Sequence, residues 1–238
     1  MQQQAAGPSS PPAPAQPPPG FIGQIPFENI QIQDNRPLGV GNFKTVHEGR
    51  LIDGGHKVAV LTLRNGACNT EAAVFERLGR HPRLTRLLGT STDPEGRAVL
   101  VTEFAELGSL DNVIGDLEDQ GIEPSNAVLL QCALQVCEGM EQVVETELIH
   151  RDLALRNVLA FEFDAENPRG VRVKVTDYGL TREGKCYYGG NEELPFRWMP
   201  PEALQRRRWS EKSDVWAFGV LMWELWSAAM IPFAFEGD

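Results

Sequence analysis

The sequence has few basic residues, and it has no long uninterrupted hydrophobic run. Its 22 lysines and arginines are outnumbered by 33 acidic residues, which gives a formal net charge of −11. Proteins that bind nucleic acid or membrane surfaces concentrate basic side chains to meet phosphate, so this balance argues against both classes. The most apolar stretch, Val220 to Phe235, contains Glu224 and Pro232 and is shorter than the roughly 20 residues that span a bilayer. We therefore predict neither a nucleic-acid partner nor a membrane segment.

Cysteine is also scarce. Its four positions, 68, 132, 137 and 186, have spacings that match neither a zinc ribbon nor a small disulfide framework. Free thiols are typical of a reducing compartment. The start of the chain, Met1 to Gln4, carries no positive charge and no apolar stretch follows it, so a secretory route is not expected. These features predict a cytoplasmic protein.

Proline is concentrated at the N-terminus. Residues 1–20 hold seven of the seventeen prolines and no charged side chain, so they cannot bury enough apolar surface to fold. We predict a disordered tail over residues 1–26. Two PxxP spacings, at residues 8–11 and 14–17, are typical of polyproline ligands for SH3-type domains, although no arginine flanks them. The alternative is a plain solvated tail.

Hydrophobic periodicity divides residues 27–238 into two lobes. Up to residue 103, short alternating runs between glycine turns predict an antiparallel sheet, with one helix around Glu71–Leu78. Beyond Leu110, apolar residues recur at helical spacing. The pattern predicts an α+β fold, with a β-rich N-lobe over residues 27–104 and a mainly helical C-lobe over residues 105–238.

Four short motifs follow one another along these lobes. Leu38-Gly39-Val40-Gly41 is a glycine turn that lets backbone amides approach phosphate, although alone it is weak evidence. After it come His150-Arg151-Asp152-Leu153-Ala154-Leu155-Arg156-Asn157, Asp177-Tyr178-Gly179 and Pro201-Glu202. The combination resembles the protein kinase family, from about Ile30 to the end of the chain. The resemblance implies a two-lobed kinase fold that binds ATP and Mg²⁺ between its lobes, with the last C-lobe helices missing.

The resemblance assigns roles to the motif residues, because phosphoryl transfer needs held phosphates and an oriented hydroxyl. Asp152 is expected to accept the proton of the substrate hydroxyl, with Arg156 beside it. Asn157 and Asp177 offer the hard oxygen ligands that Mg²⁺, or Mn²⁺ in its place, prefers. Glu202 and Asp214 are assigned structural roles, Asp214 as a brace for the catalytic loop.

The same resemblance defines a nucleotide site and an apolar spine. The expected nucleotide contacts are Leu38, Gly39, Val40, Gly41, Lys44, Val46, Ala59, Glu71, Thr102, Glu103, Ala105 and Leu159. Thr102 would be the gatekeeper, and the backbone of Glu103 and Ala105 would bond adenine. Phe75, His150 and Tyr178 are expected to stack as the spine that joins the lobes.

The lysine that kinases carry in the third strand is absent. The matching segment reads Val58-Ala59-Val60-Leu61, where the family pattern ends in lysine. Lys44 in turn stands where the glycine loop should have its third glycine. Side chains alternate along a strand, so Lys44 shares the face of Val46 and lies nearer the phosphates.

This exchange is similar to the with-no-lysine kinases, so Lys44 is expected to replace the missing lysine and to pair with Glu71. The alternative is a surface lysine on a degraded loop of a catalytically inactive scaffold or allosteric module.

Two positions favour tyrosine as the acceptor. Serine/threonine kinases carry a lysine two residues after the catalytic aspartate and a threonine seven residues before the Pro-Glu glutamate. Ala154 and Pro195 occupy these positions here and are similar to tyrosine kinases, as is the apolar platform Leu194–Met199. The relocated lysine is otherwise typical of serine/threonine enzymes, so dual specificity is a second interpretation.

Two further expectations concern regulation and the C-terminus. Tyr187 and Tyr188 are candidate phosphorylation sites, because added charge there could pair with Arg151 or Arg182 and order the segment; two unregulated loop tyrosines are the alternative. The chain ends where the family continues into its last helices. We therefore expect a fragment that folds poorly alone, leaves Glu202 without its arginine and exposes apolar surface near its C-terminal tryptophans.

Overall fold

A computed structural model describes residues 23–33, 36–41, 44–64, 70–189 and 194–234. Most of the predicted proline-rich tail, residues 1–22, lies outside the described residues. So do Asn42 and Phe43 of the glycine loop, and Cys68. The other three cysteines, at 132, 137 and 186, are free thiols.

The described chain begins with β-strands, and four of its five helices follow the N-lobe sheet, as the periodicity predicts. The strands are β1 Gly23–Gln24, β2 Ile30–Ile32, β3 Gly39–Val40, β4 Lys44–Leu51, β5 Lys57–Leu63, β6 Leu87–Thr92, β7 Ala98–Glu103, β8 Leu148–Ile149, β9 Val158–Glu162, β10 Arg172–Val175, β11 Arg182–Glu183, β12 Tyr187–Tyr188 and β13 Arg208–Trp209. The helices are α1 Thr70–Leu78, α2 Leu110–Asp119, α3 Asn126–Glu145, α4 Pro201–Arg206 and α5 Glu211–Trp226. Single 3-10 turns lie at Phe27–Asn29, Leu155–Asn157, Pro168–Gly170 and Phe196–Trp198.

The N-lobe is a sheet with the strand order β1-β6-β7-β5-β4-β2, and β3 pairs with β4. Alternation along β5 sends its side chains to opposite faces. Val58 and Val60 join a small cluster with β7 valines, while Leu61 joins the main core with Phe75 of α1. The register sets Val46 opposite Leu61 and Ala59 opposite Thr102.

The sheet begins earlier than expected, and one of its pairs is parallel. The predicted tail reaches residue 26, yet Gly23–Gln24 runs parallel to β6 and the Ile25 N–H donates to the Thr90 carbonyl at 2.7 Å. Gly89 permits this docking, because a Cβ there would lie 2.6 Å from the Gly23 carbonyl oxygen. Residues 23–26 therefore belong to the N-lobe sheet, which corrects the boundary of the predicted tail.

The C-lobe is built on α3 and α5. The Ser125 side chain accepts the Val128 N–H at 3.4 Å and starts α3, and Ser210 with Ser213 forms a capping box that starts α5. Gln135 of α3 donates to the Val171 carbonyl and accepts from the Val173 N–H, which ties the β9–β10 hairpin to the helix. Within the described ranges, no helix combines the length and the apolarity needed to cross a membrane.

Candidate active site

Lys44 begins β4, and its side chain enters the space between the lobes. Its Nζ lies 2.5 Å from Glu71 Oε1 of α1 and 2.9 Å from Asp177 Oδ1. Burial alone would lower the pKa of Lys44, but the carboxylates of Asp177 and Glu71 outweigh burial and hold it above its usual value. Lys44 is therefore a buried, charged ammonium that joins the two lobes.

The position of the absent lysine is filled by apolar packing. Leu61 is 6% exposed and belongs to the main core with Phe75 and Leu100. No cation is left at this strand position, so the ammonium that faces Glu71 comes from Lys44.

Three rings form a continuous stack from α1 to the catalytic loop. Phe75 meets Tyr178 edge-to-face with 4.9 Å between ring centroids, and His150 meets Tyr178 at 5.6 Å. The Tyr178 hydroxyl donates to the Val175 carbonyl at 3.0 Å, so this buried oxygen has a partner. The stack links α1 to both loops that carry the catalytic motifs.

His150 also orders the loop through its ring nitrogens. Its Nδ1 accepts the Asp152 N–H at 3.2 Å, and its Nε2 lies 3.1 Å from the Thr176 carbonyl, so the proton resides on Nε2. Burial lowers the pKa of His150 to about 4, which keeps the ring neutral. A neutral ring is required here, because a protonated Nδ1 could not accept the Asp152 N–H.

Asp152 follows in the same His-Arg-Asp loop. Its Oδ1 forms an ion pair with Arg156, and its backbone carbonyl accepts the Asn157 side-chain N–H at 2.8 Å. Burial raises the pKa of Asp152 to about 6, against the opposing charge of Arg156. A carboxylate with a raised pKa is a better proton acceptor than an ordinary one, so Asp152 suits the role of a general base.

Asp214 of α5 holds the beginning of the loop. Its two carboxylate oxygens accept the N–H groups of His150 and Arg151 at 2.8 and 2.9 Å. Arg151 is in the left-handed region with φ 70°, a conformation that is costly for a side chain larger than glycine. The Asp214 carboxylate, 3% exposed, therefore holds this strained residue and the one before it by their N–H groups.

Glu224, also on α5, holds the end of the same loop. Its Oε2 accepts both the Leu155 N–H at 3.0 Å and the Trp198 indole N–H at 2.9 Å. The sequence analysis missed this residue, because it treated Glu224 only as an interruption of an apolar run. A single carboxylate inside the apolar run Val215–Trp226 was the signal that could have found it.

The predicted adenine and glycine-loop residues line the edge of the N-lobe. Gly39 pairs with Val46 and Val40 with Thr45, while Leu38 and Val40 have exposed side chains. Thr102 and Ala105 are buried at the end of β7. The Glu103 side chain accepts from the Arg86 N–H at 2.8 Å and from Lys174 Nζ at 2.6 Å, which fixes the strand end. Leu159 forms an isolated antiparallel β-bridge with Ser109.

The remaining predicted residues lie in the C-lobe. Glu202 is half-buried in the first turn of α4. Tyr187 and Tyr188 form β12, opposite Trp209 and Arg208 of β13. The Tyr187 ring covers the Arg151 guanidinium at 4.7 Å, whereas Tyr188 is 66% exposed.

Asn157 and Asp177 fit a divalent cation. The Asn157 amide nitrogen donates to the Asp152 carbonyl, which leaves the amide oxygen for a cation. Lys44 outweighs burial and holds the pKa of Asp177 below its usual value, so the carboxylate is ionised. These are hard oxygen donors, as Mg²⁺ prefers. Among the described residues, no group of three or more acidic, histidine or cysteine side chains is placed to hold a metal ion.

A two-lobed fold with a lysine–glutamate ion pair, a His-Arg-Asp loop bonded to a buried aspartate and an Asp-Tyr-Gly turn is typical of the protein kinase fold. A sequence profile of the protein tyrosine and serine/threonine kinase family matches residues 32–235. The chain belongs to this family, which confirms the resemblance and the predicted fold.

Three similar proteins align with most of this chain. It is 36% identical over 229 residues to "Activated Cdc42 kinase-like" of Drosophila melanogaster, covering 88% of this chain and 16% of that protein. It is 31% identical over 232 residues to "Fibroblast growth factor receptor 1" of Dugesia japonica, covering 89% and 26%. It is 36% identical over 236 residues to "Tyrosine-protein kinase transforming protein Abl" of Abelson murine leukemia virus, covering 93% and 30%. The chain spans less than a third of each relative.

Proposed function

We propose that the protein is an ATP-dependent protein-tyrosine kinase that uses Lys44 in place of the third-strand lysine. The observation that carries this proposal is the buried Lys44 ammonium, within 2.5 Å of Glu71 and 2.9 Å of Asp177. It supplies the positive charge that Leu61 cannot. The names of two relatives, one a tyrosine-protein kinase and one a kinase, support the same activity.

The proposed reaction is transfer of the γ-phosphoryl group of ATP to a substrate hydroxyl. The substrate hydroxyl oxygen forms a bond to the γ-phosphorus of ATP, the bond from that phosphorus to the β–γ bridging oxygen breaks, and ADP leaves. Asp152 orients the hydroxyl and accepts its proton. Arg156, paired with Asp152, holds the carboxylate in place. Lys44 binds the α and β phosphates while Glu71 orients it.

Asn157 and Asp177 would hold Mg²⁺, with Mn²⁺ as a substitute. The cation neutralises phosphate charge when it is bound. Around it, Leu38, Val46, Ala59 and Leu159 would enclose adenine, and the backbone of Glu103 and Ala105 would bond its edge. The glycine turn would cover the phosphates.

Tyrosine is the proposed acceptor because the platform beside the base is aromatic and apolar. The Trp198 ring lies 4.3 Å from the Arg156 guanidinium, so the platform and the catalytic loop are in contact. A broad platform favours a phenol, whose hydroxyl reaches Asp152 from further away than a serine hydroxyl. Dual specificity is the second form of this proposal. It would appear as phosphate transfer to both tyrosine-containing and serine/threonine-containing peptides.

A second candidate is an inactive kinase-like scaffold. It is favoured by Leu61, since a buried leucine occupies the position of a residue that most kinases require. Intact Asp152, Asn157 and Asp177 favour the active enzyme, because a scaffold has no chemical need for all three.

The test is phosphoryl transfer from ATP with Mg²⁺ to tyrosine-containing and serine/threonine-containing peptides. Lys44→Ala and Asp152→Asn should each abolish transfer, while Lys212→Ala, an exposed lysine on α5, should leave it unchanged. The double variant Lys44→Ala with Leu61→Lys should recover part of the activity. A folded parent that transfers no phosphate would support the scaffold instead.

We propose Tyr188, rather than Tyr187, as the regulatory phosphorylation site. Tyr188 is 66% exposed and pairs across β12–β13 with Arg208, whereas Tyr187 covers Arg151. Mass spectrometry of the ATP-treated protein should find phosphate on Tyr188 first. Phosphate on Tyr187 alone would contradict this assignment.

The location and a partner of the protein can also be proposed from its sequence. We propose a cytoplasmic kinase whose segment 8–17 binds an SH3-type domain through its PxxP spacings. A pull-down with a panel of SH3 domains, compared with a Pro11→Ala and Pro17→Ala double variant, tests the partner.

A further inference from the structure

A cavity of about 300 Å³ lies on the face of the N-lobe sheet that points away from α1. Ser91 of β6 lines the cavity and pairs with Val99 of β7. Paired residues of neighbouring strands have side chains on the same face of a sheet. Val99 belongs to the small valine cluster, whereas the apolar residues of α1 belong to the main core. The cavity is therefore on the opposite side of the sheet from the cleft between the lobes.

The chain segment 24–28 forms one wall of the cavity, and the end of β6 forms the other. Near the start of the segment, the Ile25 N–H donates to the Thr90 carbonyl at 2.7 Å. Just beyond its end, the Asn29 carbonyl accepts the Ile52 N–H at 2.9 Å. These bonds anchor the segment on both sides of the cavity, so the cavity is part of the folded N-lobe.

Ser91 has the feature that points to a ligand. The residue is 5% exposed, and its Oγ has no hydrogen-bond partner in the part of the chain that the structure describes. A buried hydroxyl without a partner is unfavourable, and the large majority of buried polar groups in native proteins are bonded. A molecule in the cavity that donates a hydrogen bond to Ser91 would satisfy this oxygen.

The other lining residues determine the chemistry of that molecule. Segment 24–28 contributes an apolar surface, Ile25 to Phe27, and the carboxylate of Glu28 at the exposed mouth. The described lining contains no basic side chain. We propose that the cavity binds a small organic amine, whose N–H groups donate to Ser91 and whose positive charge is met by Glu28.

Charge and size both favour a small amine. Glu28 attracts a cation and repels an anion, and the net charge of −11 does the same over a longer range. An ammonium group has N–H donors and no acceptor, so it complements a hydroxyl oxygen and a carboxylate together. Small-molecule sites have volumes of about 300–1,000 Å³, and this cavity is at the lower end of that range. A small amine therefore suits it better than a segment of a partner protein.

This inference goes beyond the proposed kinase function and does not rest on it. The cavity lies across the sheet from the nucleotide cleft, and its ligand is neither the nucleotide nor the protein substrate. Binding to the cavity is measured without phosphoryl transfer. Loss of activity in the parent would therefore count against the kinase proposal alone.

Occupancy of the cavity should hold segment 24–28 more firmly on the sheet. A ligand that contacts both walls binds only while the segment is docked, so it stabilises the docked state. At a ligand concentration ten times its Kd, amide exchange at Ile25 should slow by about tenfold. Exchange at Val136 of α3, in the other lobe, should not change.

The test uses benzylamine as the probe, and calorimetric titration of the full chain gives its Kd. Benzyl alcohol and benzoate carry the same ring with a neutral and a negative group, and N-acetyl-lysine amide represents the lysine side chain of a partner protein. Glu28→Gln and Ser91→Ala each remove one proposed contact. The matched controls are Glu118→Gln, an exposed glutamate on α2, and Ser109→Ala, a half-buried serine just before α2.

We expect benzylamine to bind more tightly than benzyl alcohol, and benzoate not to bind. The Kd for benzylamine should rise about three- to tenfold in Glu28→Gln and in Ser91→Ala, and it should keep the parent value in both controls.

The absence of benzylamine binding, equal binding of benzoate, parent affinity in both cavity variants, or unchanged exchange at Ile25 would each overturn the proposal. Tighter binding of N-acetyl-lysine amide than of benzylamine would also overturn it, because a lysine side chain of a partner would then be the occupant.

Discussion

Lys44 is the residue on which the site most depends, because it satisfies two carboxylates at once. Glu71 has a side chain only 5% exposed, and Lys44 is the cation it contacts. Alternation along β4 was enough to predict that Lys44 points into the cleft, because Val46 defines the adenine side of the strand. The sequence did not indicate that Asp177 would share the ammonium, since that contact depends on how the lobes close.

Removing this cation should destabilise the fold as well as abolish activity. Lys44→Met leaves a buried carboxylate without its partner and should cost about 3–5 kcal/mol in the free energy of unfolding. Lys57→Met, which breaks an exposed pair with Glu106, should cost less than about 1 kcal/mol. Urea unfolding followed by tryptophan fluorescence measures both. Adding Glu71→Gln to Lys44→Met should recover part of the loss; similar losses in the two lysine variants would refute the argument.

His150 should make the stability fall in acid. Its pKa is lowered to about 4 in the folded protein, whereas the unfolded ring titrates near its ordinary value of about 6.5. The unfolded state therefore binds a proton first, so this contribution is complete above about pH 6.5 and is lost progressively toward pH 4.

His150→Phe retains a ring and removes the titration. The difference in unfolding free energy between the parent and His150→Phe should be constant near neutral pH and shrink as the pH falls below 6.5. A difference that does not change between pH 7 and 5 would show that His150 titrates normally in the folded protein.

At the scale of elements, the long periodic segments were predictable and the short ones were not. Helix α1, Thr70–Leu78, and strand β7, Ala98–Glu103, lie where the apolar pattern placed them. The two-residue strand β1 has no period to detect, and its parallel pairing with β6 depends on a residue far along the chain. Glu224 was missed for a similar reason, because its two donors are brought together only by tertiary packing.

A substitution at Gly89 tests how β1 is attached to β6. Gly89→Ala places a Cβ 2.6 Å from the Gly23 carbonyl oxygen and from Ile25 Cδ1, so β1 must move away. We expect a loss of about 1–3 kcal/mol in stability and faster amide exchange at Ile25. Gly115→Ala, in α2 with no atom within 4 Å of the new Cβ, is the control and should be neutral or stabilising by up to about 1 kcal/mol. Unchanged exchange at Ile25 in Gly89→Ala would contradict the close approach.

At the scale of the whole molecule, α5 presents an apolar face. Trp216, Trp223 and Trp226 are 44%, 45% and 42% exposed on this helix, whose other face forms the centre of the C-lobe core. The sequence analysis expected this exposure. Clustered aromatic exposure on one helix favours association with other apolar surfaces.

The 238-residue chain should therefore bind the dye ANS and self-associate as its concentration rises. The double variant Trp216→Gln with Trp223→Gln should reduce both effects. Ile52→Gln, which removes a single 60% exposed side chain from the N-lobe, should change neither. Fluorescence titration and sedimentation velocity provide the measurements, and equal behaviour of the two variants would exclude the α5 face as the cause.

The location of Lys44 has a mechanical consequence. In most kinases the corresponding ammonium stands on an inner strand of the sheet. Here it stands at the first residue of β4, three positions beyond Gly41 of the glycine turn. An outward swing of α1 would pull on Glu71, through it on Lys44, and so on the turn itself. The ion pair therefore connects α1 directly to the strand that follows the glycine turn, so a displacement of either element would strain the other.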